Sequence, residues 1–507
     1  MRTAHSIWTF LSQELFTVST VLVGVLTTPL ILRWLGNERF GAFETATDWM
    51  GYIGILEWVV AESLPPLLTR AYGRRDEDAV RRIVAASLQA YARIAVVMLA
   101  LGLVIGAFIT RLIPVSPTHA HDLEVAWLIG LCSLPLLPLT AFKLLAQAEQ
   151  RGYWVNLLLI GQSYVVTAFS VLLAFTGWGI TGQALAVVLG ATTFNVVVAV
   201  LELRRLPGIL STAIRTPADK DARNAISQLQ VPNFTFAVCG RVSYLADNII
   251  VAFIMSPALV VPFFLTQRLG ALAASQLQGI GGASWAALAE LHAQGKMETF
   301  NARLLELTRL VAGLAAAVLV PIVAYNHFFI MRWVGAANYG GNLLTTIAAC
   351  NAVLLAIFSL WSWCIVSTGH IRQLLPAMIS QTIVNVIASV ILTIKFGLIG
   401  PVSGTLIAFL GISTWYQPMI LARLFDTKPF ELLFALCEPL IIGIPYGFLV
   451  WFFANRYGAA NWFVLAWQMS AIALGYISIA WLVVLSKAER AQWVHRFRLT
   501  LARADAA

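Results

Sequence analysis

The chain has 507 residues, of which 59% are apolar and only 11% charged, with a net charge of +9, whereas about 25% of an ordinary soluble domain is charged. No soluble core hides that much apolar surface, so a water-soluble enzyme, a nucleic-acid-binding module and a disordered scaffold are excluded. The expected fold class is an all-α polytopic membrane protein.

Cutting the sequence at its charged, Gly and Pro clusters leaves fourteen apolar stretches near or above the ~20 residues that cross a bilayer. In chain order these spans are 7–34, 40–63, 83–113, 125–148, 153–175, 182–203, 227–255, 259–290, 304–331, 342–367, 373–394, 400–422, 430–454 and 461–486. The first lacks a signal-type cleavage site and is itself long enough to span, so it is expected to be retained as a helix. With the N-terminus inside, the even-numbered connections and both termini hold most of the Lys and Arg, including Arg74, Arg75, Arg81, Arg82, Arg204, Arg205, Lys220 and Arg223. That asymmetry predicts both termini in the cytoplasm. The segment 487–507 reads as a basic amphipathic tail, with Trp493, Val494 and Phe497 among Arg490, Arg496 and Arg498, suited to anionic lipid.

The five cysteines all lie in apolar runs and form no CxxC pair, so neither a disulfide framework nor a metal site is expected. The chain has no GxxxxGK[ST] loop, no HExxH and no nucleophile beside an obvious base. The reading is therefore a non-enzyme without cofactor, driven by a gradient or a partner.

Two six-span copies are legible. Gly73 precedes Arg81 as Gly295 precedes Arg303, and Gly179-Ile180-Thr181-Gly182 returns as Gly397-Leu398-Ile399-Gly400. The expected organisation is an N-lobe 1–205, a cytoplasmic linker 206–226, a C-lobe 227–425, two further helices over 426–486, and the tail. Paired repeats suit alternating access, because a site between similar lobes can open to either side in turn.

The informative residues are the ionisable ones inside spans, where a charge costs at least ~2.5 kcal/mol and marks a wet cavity or a partner. At a rise of ~1.5 Å per residue, Arg93 and Arg241 fall near mid-depth and Arg268 nearer the outer face. Glu14 lies in span 1, Glu44, Asp48 and Glu57 in span 2, and Asp247 in span 7. Glu44 and Asp48 share a helix face, while Arg241, Tyr244 and Asn248 form a polar stripe on span 7. Arg268, Arg241, Arg93, Tyr244, Asn248 and Gln267 are the candidate substrate-binding residues; Asp48, Glu44, Glu14 and Asp247 are the candidates for ion coupling. The alternative for Arg241 and Arg268 is a helix-locking ion pair with Asp48 or Asp247.

Leu35-Gly36-Asn37-Glu38-Arg39-Phe40-Gly41, together with Gly179 to Gly182 followed by Gln183-Ala184, resembles the Wzx-type polysaccharide flippases of the multidrug/oligosaccharidyl-lipid/polysaccharide (MOP) exporter superfamily. The resemblance implies a protein of the bacterial cytoplasmic (inner) membrane that carries an undecaprenyl-diphosphate-linked glycan from its inner to its outer face. It also implies proton or sodium coupling, and a polysaccharide polymerase or glycosyltransferases as partners. In related lipid II flippases, arginines of helices 2 and 8 contribute to a cationic cavity. Arg268 matches the helix 8 position by span, whereas helix 2 here carries Glu44 and Asp48 instead. The rival readings are a multidrug or cation antiporter of the same superfamily and a membrane-embedded polysaccharide polymerase. The latter would carry a large outer loop, which this sequence lacks.

Overall fold

The computed structural model describes residues 2–61, 64–74, 76–205, 230–484 and 490. The linker 206–226 and, apart from Arg490, the tail 487–507 lie outside the described residues.

The first two spans, α1 (Arg2–Ala61), are two helices joined at a break at Gly36, where φ is +77° and ψ +166°. Only glycine takes that backbone without strain. After it come α2 (Leu64–Gly73), α3 (Glu77–Gly106), the short α4 (Ile109–Leu112), α5 (Pro117–Leu131), α6 (Thr140–Ala148), α7 (Gly152–Phe175) and α8 (Gly179–Arg205). Pro135 and Pro138 cannot donate to a helical ladder, and span 4 accordingly passes from α5 to α6 through a 3-10 turn, Leu134–Leu139.

The chain resumes with α9 (Gln230–Ile254), α10 (Pro257–Ala293), α11 (Met297–Trp333), α12 (Asn342–Ser367) and α13 (Ile371–Phe396). It closes with α14 (Gly400–Ala408), α15 (Thr414–Phe425), α16 (Pro429–Tyr457) and α17 (Trp462–Val483). Among the described residues, eleven stretches are long and apolar enough to cross a membrane, or twelve with α9, which bends by 44°. Two of them, Leu11–Trp58 with 48 residues and Ile371–Phe425 with 55, are each more than twice the ~20 residues of one crossing. Counted as two crossings each, they bring the total among the described residues to about fourteen, and the chain is a multi-pass membrane protein.

Two compact units share the chain: Met1–Val261 with Thr393–Gly397, and Pro262–Leu392 with Leu398–Ala507. Within the first, α1 packs mainly on α7 and α9; within the second, α11 packs mainly on α16, α17 and α12. Lipid supplies no hydrophobic drive between helices, so close packing and small residues do the work.

The two sequence motifs meet in the first unit. Glu38 accepts a hydrogen bond from the Ser116 backbone N–H. Arg39 Nε donates to His119 Nδ1 at 3.3 Å and lies 3.9 Å from Asp122 Oδ2. The Asp122 carboxylate in turn accepts the backbone N–H groups of Ile180 at 2.8 Å and Thr181 at 2.9 Å, and the Thr181 hydroxyl at 2.6 Å. An acid from α5 thus caps the N–H groups at the start of α8 that have no partner within the helix. Gln183 is buried and pairs with Ser170 through both ends of its amide. Gly179 (φ +58°) and Gly397 (φ +64°) adopt the same left-handed conformation at matching places in the two copies.

Candidate functional site

Asp48 of span 2 and Arg241 and Asp247 of span 7 converge on one seam in the first unit, between the second half of α1 and α9. Glycine sets the spacing of that seam. A Cβ on Gly51 would sit 2.8 Å from Leu245 Cδ1 of α9, and one on Gly41 would sit 1.8 Å from the carbonyl oxygen of Pro257, where α10 begins. Larger residues at either place would push the helices apart.

Asp48 Oδ2 accepts a hydrogen bond from Asn248 Nδ2 at 2.8 Å. One turn further along α1, the Tyr52 hydroxyl donates to the Val242 carbonyl at 3.2 Å. Asp247 interacts electrostatically with Asp48, and Tyr52 feels both carboxylates. The Asp247 Oδ1 is buried and has no hydrogen-bond partner among the described residues. Arg241 attracts the Asp48 carboxylate, yet its guanidinium stacks over the Trp58 ring at 5.1 Å from the centroid, and its buried Nε makes no hydrogen bond. With both acids ionised, two carboxylates and one guanidinium would leave this seam one positive charge short of neutrality in a medium where charge is costly.

Arg268 and Gln267 lie on α10, in the second unit. The Arg268 guanidinium stands 5.4 Å from the centroid of the Phe264 ring, one turn back on its own helix. Gln267 Nε2 donates to the Phe263 carbonyl at 3.3 Å, also within the helix. Neither Arg241 nor Arg268 lies within ion-pair distance of a carboxylate among the described residues. Both instead rest against an aromatic face, which attracts a cation through the ring quadrupole and leaves the N–H edge open to another acceptor.

Other candidates stand apart from the seam. Glu44 precedes Asp48 by one turn and has a partner of its own. Glu14 is exposed on the first half of α1, Arg93 is exposed on α3, and neither joins the hydrogen bonds around Asp48. Tyr244 lies on α9, with its side chain outside the described residues. Reading the sequence missed Tyr52 and Trp58. The first was accessible, because it follows Asp48 by four and so shares its face; the second required knowing which helix faces Arg241. Glu57, facing away from Asp48, interacts instead with Lys143 of α6 and Tyr91 of α3.

No protein-family model matches the chain, and no curated protein matches it in sequence. Solved structures do share its fold. A lipid II flippase MurJ in an inward closed conformation superposes with a TM-score of 0.70, covering 96% of this chain and 100% of its own, at 15% identity. An inward-facing multidrug resistance MATE family transporter of the MOP superfamily gives 0.60, covering 81% and 95%, at 16% identity. A MOP superfamily transporter from Pyrococcus furiosus gives 0.56, covering 82% and 96%, at 13% identity. The chain therefore shares its fold with these flippase and transporter structures.

Proposed function

We propose that this chain is a flippase that moves a polyprenyl-diphosphate-linked oligosaccharide across the bacterial cytoplasmic membrane by alternating access, for cell-surface polysaccharide synthesis. The observation that carries the reading is the extent of the likeness: the lipid II flippase covers 96% of the chain, against 81% for the multidrug transporter. The chemistry of the cargo agrees. Bringing a long polyprenyl tail into water costs about 0.8 kcal/mol per CH₂, so the tail stays in lipid and only the head group needs shelter. Guanidinium groups match phosphate oxygens in bidentate geometry, and Arg241 and Arg268 present theirs without a carboxylate in ion-pair contact among the described residues. In this reading the two arginines bind the head group, with Arg93, Tyr244, Asn248 and Gln267 contributing to its path.

Charge counting at the α1–α9 seam supports coupling to a cation. One guanidinium balances one of Asp48 and Asp247, and a proton or sodium ion balances the other; Glu44 and Glu14 stand further along α1 as relay groups. Outward movement of a negative head group is also favoured by an inside-negative potential, at ~2.3 kcal/mol per charge per 100 mV. The same acidic pair favours a second reading, a cation antiporter.

The test is translocation of a fluorescent polyprenyl-diphosphate oligosaccharide in proteoliposomes. Arg241→Gln and Arg268→Gln are each expected to slow flipping at least about tenfold, a loss of ~1.4 kcal/mol of transition-state stabilisation, at unchanged protein abundance. Asp247→Asn should abolish the dependence on an imposed ion gradient. Gradient-driven efflux of organic cations with no lipid flipping would establish the antiporter instead.

A further inference from the structure

The two motifs that meet beside α5 take no part in the function proposed above, yet they enclose a titratable ring. In the orientation expected from the basic residues, the connections between spans 1 and 2, 3 and 4, and 5 and 6 all lie on the outer side. His119 stands there in the first turn of α5, next to Glu38 and Arg39 of the segment that follows the break at Gly36. The side chains of His119, Glu38, Arg39 and Asp122 are all partly exposed, so protons from solvent reach the ring.

The contacts fix which form of the ring is present. Arg39 Nε donates its hydrogen to His119 Nδ1 at 3.3 Å, so Nδ1 holds a lone pair and the imidazole is neutral, with its proton on Nε2. Nε2 lies 3.9 Å from Glu38 Oε2. The Arg39 Nε is also 3.9 Å from Asp122 Oδ2. A second proton on the ring is incompatible with this arrangement, because an Nδ1–H would face the guanidinium N–H with no acceptor between them.

The neighbouring elements add little charge. The helix α5 packs against α1, α3, α4 and α8. No charged residue occurs on α8 before Glu202 or on α3 after Arg93. On α4, the Arg111 guanidinium stands 5.9 Å from the centroid of the Phe108 ring. On α5 itself, His121 lies 4.0 Å from Glu124, and both are exposed. The groups around the ring are therefore Glu38, Arg39 and Asp122, which carry one negative charge in excess while His119 is neutral and balance once it is protonated.

We propose that His119 is a proton-operated latch on the outer side of the first unit. When neutral it ties the segment after Gly36 to α5 through Arg39; when protonated it turns to Glu38 and releases Arg39 to Asp122. The exchange acts on the backbone. Glu38 accepts the Ser116 N–H, and Asp122 accepts those of Ile180 and Thr181. A carboxylate drawn to the imidazolium or the guanidinium loses part of its hold on the start of α5 or of α8. Acid on the outer side thereby loosens the joints among spans 1, 2, 4 and 6, whatever the protein carries. Histidine is the side chain that ordinarily changes charge between about pH 5 and 8.

Hydrogen–deuterium exchange of the full-length protein in detergent, corrected for the intrinsic pH dependence of amide exchange, tests the latch without a transport assay. Between about pH 8 and about pH 5.5, the Ser116 amide should lose protection about tenfold, the equivalent of one hydrogen bond to a charged group. A smaller loss is expected at Ile180 and Thr181. His119→Asn keeps an acceptor near the place of Nδ1 and cannot take up the proton, so its protection should not change with pH. His119→Lys carries a fixed charge and should already exchange fast at about pH 8. His121→Asn should leave the response intact. No response in the unaltered protein, a response that survives His119→Asn, or one that vanishes in His121→Asn would overturn the proposal. If His119→Asn does not fold, His119→Lys decides, and full protection in that variant at about pH 8 refutes the latch.

Discussion

The connection between spans 4 and 5 and its counterpart between spans 10 and 11 occupy the same place in the two sequence copies, yet different forces hold them. In the first, Tyr72 donates to Glu149 Oε1 at 2.5 Å, and Arg151 bridges Glu149 to Glu202, 2.7 Å from Glu202 Oε2. Arg205 joins at 3.6 Å from Glu149, and Glu202 is fully buried. In the second, the rings of His292, Phe300, His370 and Phe425 pack with centroids as close as 4.7 Å, and Asn301 donates to the Phe425 carbonyl at 3.0 Å. Both corners turn on a left-handed residue, Gln150 (φ +62°) in one and Gly369 (φ +86°) in the other. The repeat preserved the turn and left the glue free to diverge.

The ionic corner should be the more fragile to a single change, because removing one member strands charge away from water. Arg151→Ala leaves Glu149 and the buried Glu202 without their shared cation and should cost ~3–5 kcal/mol, read as a lowered unfolding temperature in detergent. The triple change Glu149→Leu, Arg151→Met, Glu202→Leu makes the corner apolar like its counterpart and should restore stability to within ~1 kcal/mol of the original. Failure of that rescue would show that the charges do more than hold the corner.

A smaller effect belongs to Tyr72. Burial, then its hydrogen bond to Glu149, pushes the phenol well above its usual value of 10. Burial opposes the charge on Arg151, but Glu202 and Glu149 outweigh it and raise its pKa. Tyr72→Phe should cost ~1.5 kcal/mol, the net worth of one such hydrogen bond. The sign follows from the upward shift: the contribution is fully present below about pH 10 and is lost as pH rises toward the folded-state value. The gap in unfolding temperature between the two proteins should therefore stay constant through neutral pH and shrink above 10. The smallest change is expected in the aromatic corner. Phe425→Leu keeps most of the volume and the backbone carbonyl that Asn301 uses, so it should cost less than ~1.5 kcal/mol.

Much of the architecture was legible because bilayer crossing imposes length and apolarity on local sequence. The spans, the break at Gly36 and the paired turns at Gly179 and Gly397 all follow from nearest neighbours along the chain. The candidate site was only half legible. Glu44, Asp48 and Asp247 announced themselves as charges in apolar helices, but the Asp48–Asn248 bond joins residues 200 apart. The Arg151–Glu202 bridge was equally hidden, since each residue reads by itself as an ordinary loop charge at the end of a span.

The sequence by itself determined that the chain is a membrane protein, how many times it crosses, and which residues carry charge into the hydrocarbon. Only the tertiary structure decided that Arg241 rests on the Trp58 ring, that Asp122 reaches the start of α8, and that the glycine at 51 closes a seam. The reason is physical: hydropathy and backbone preference are properties of neighbouring residues, whereas the fate of a charge or a missing Cβ depends on which distant helix is packed against it.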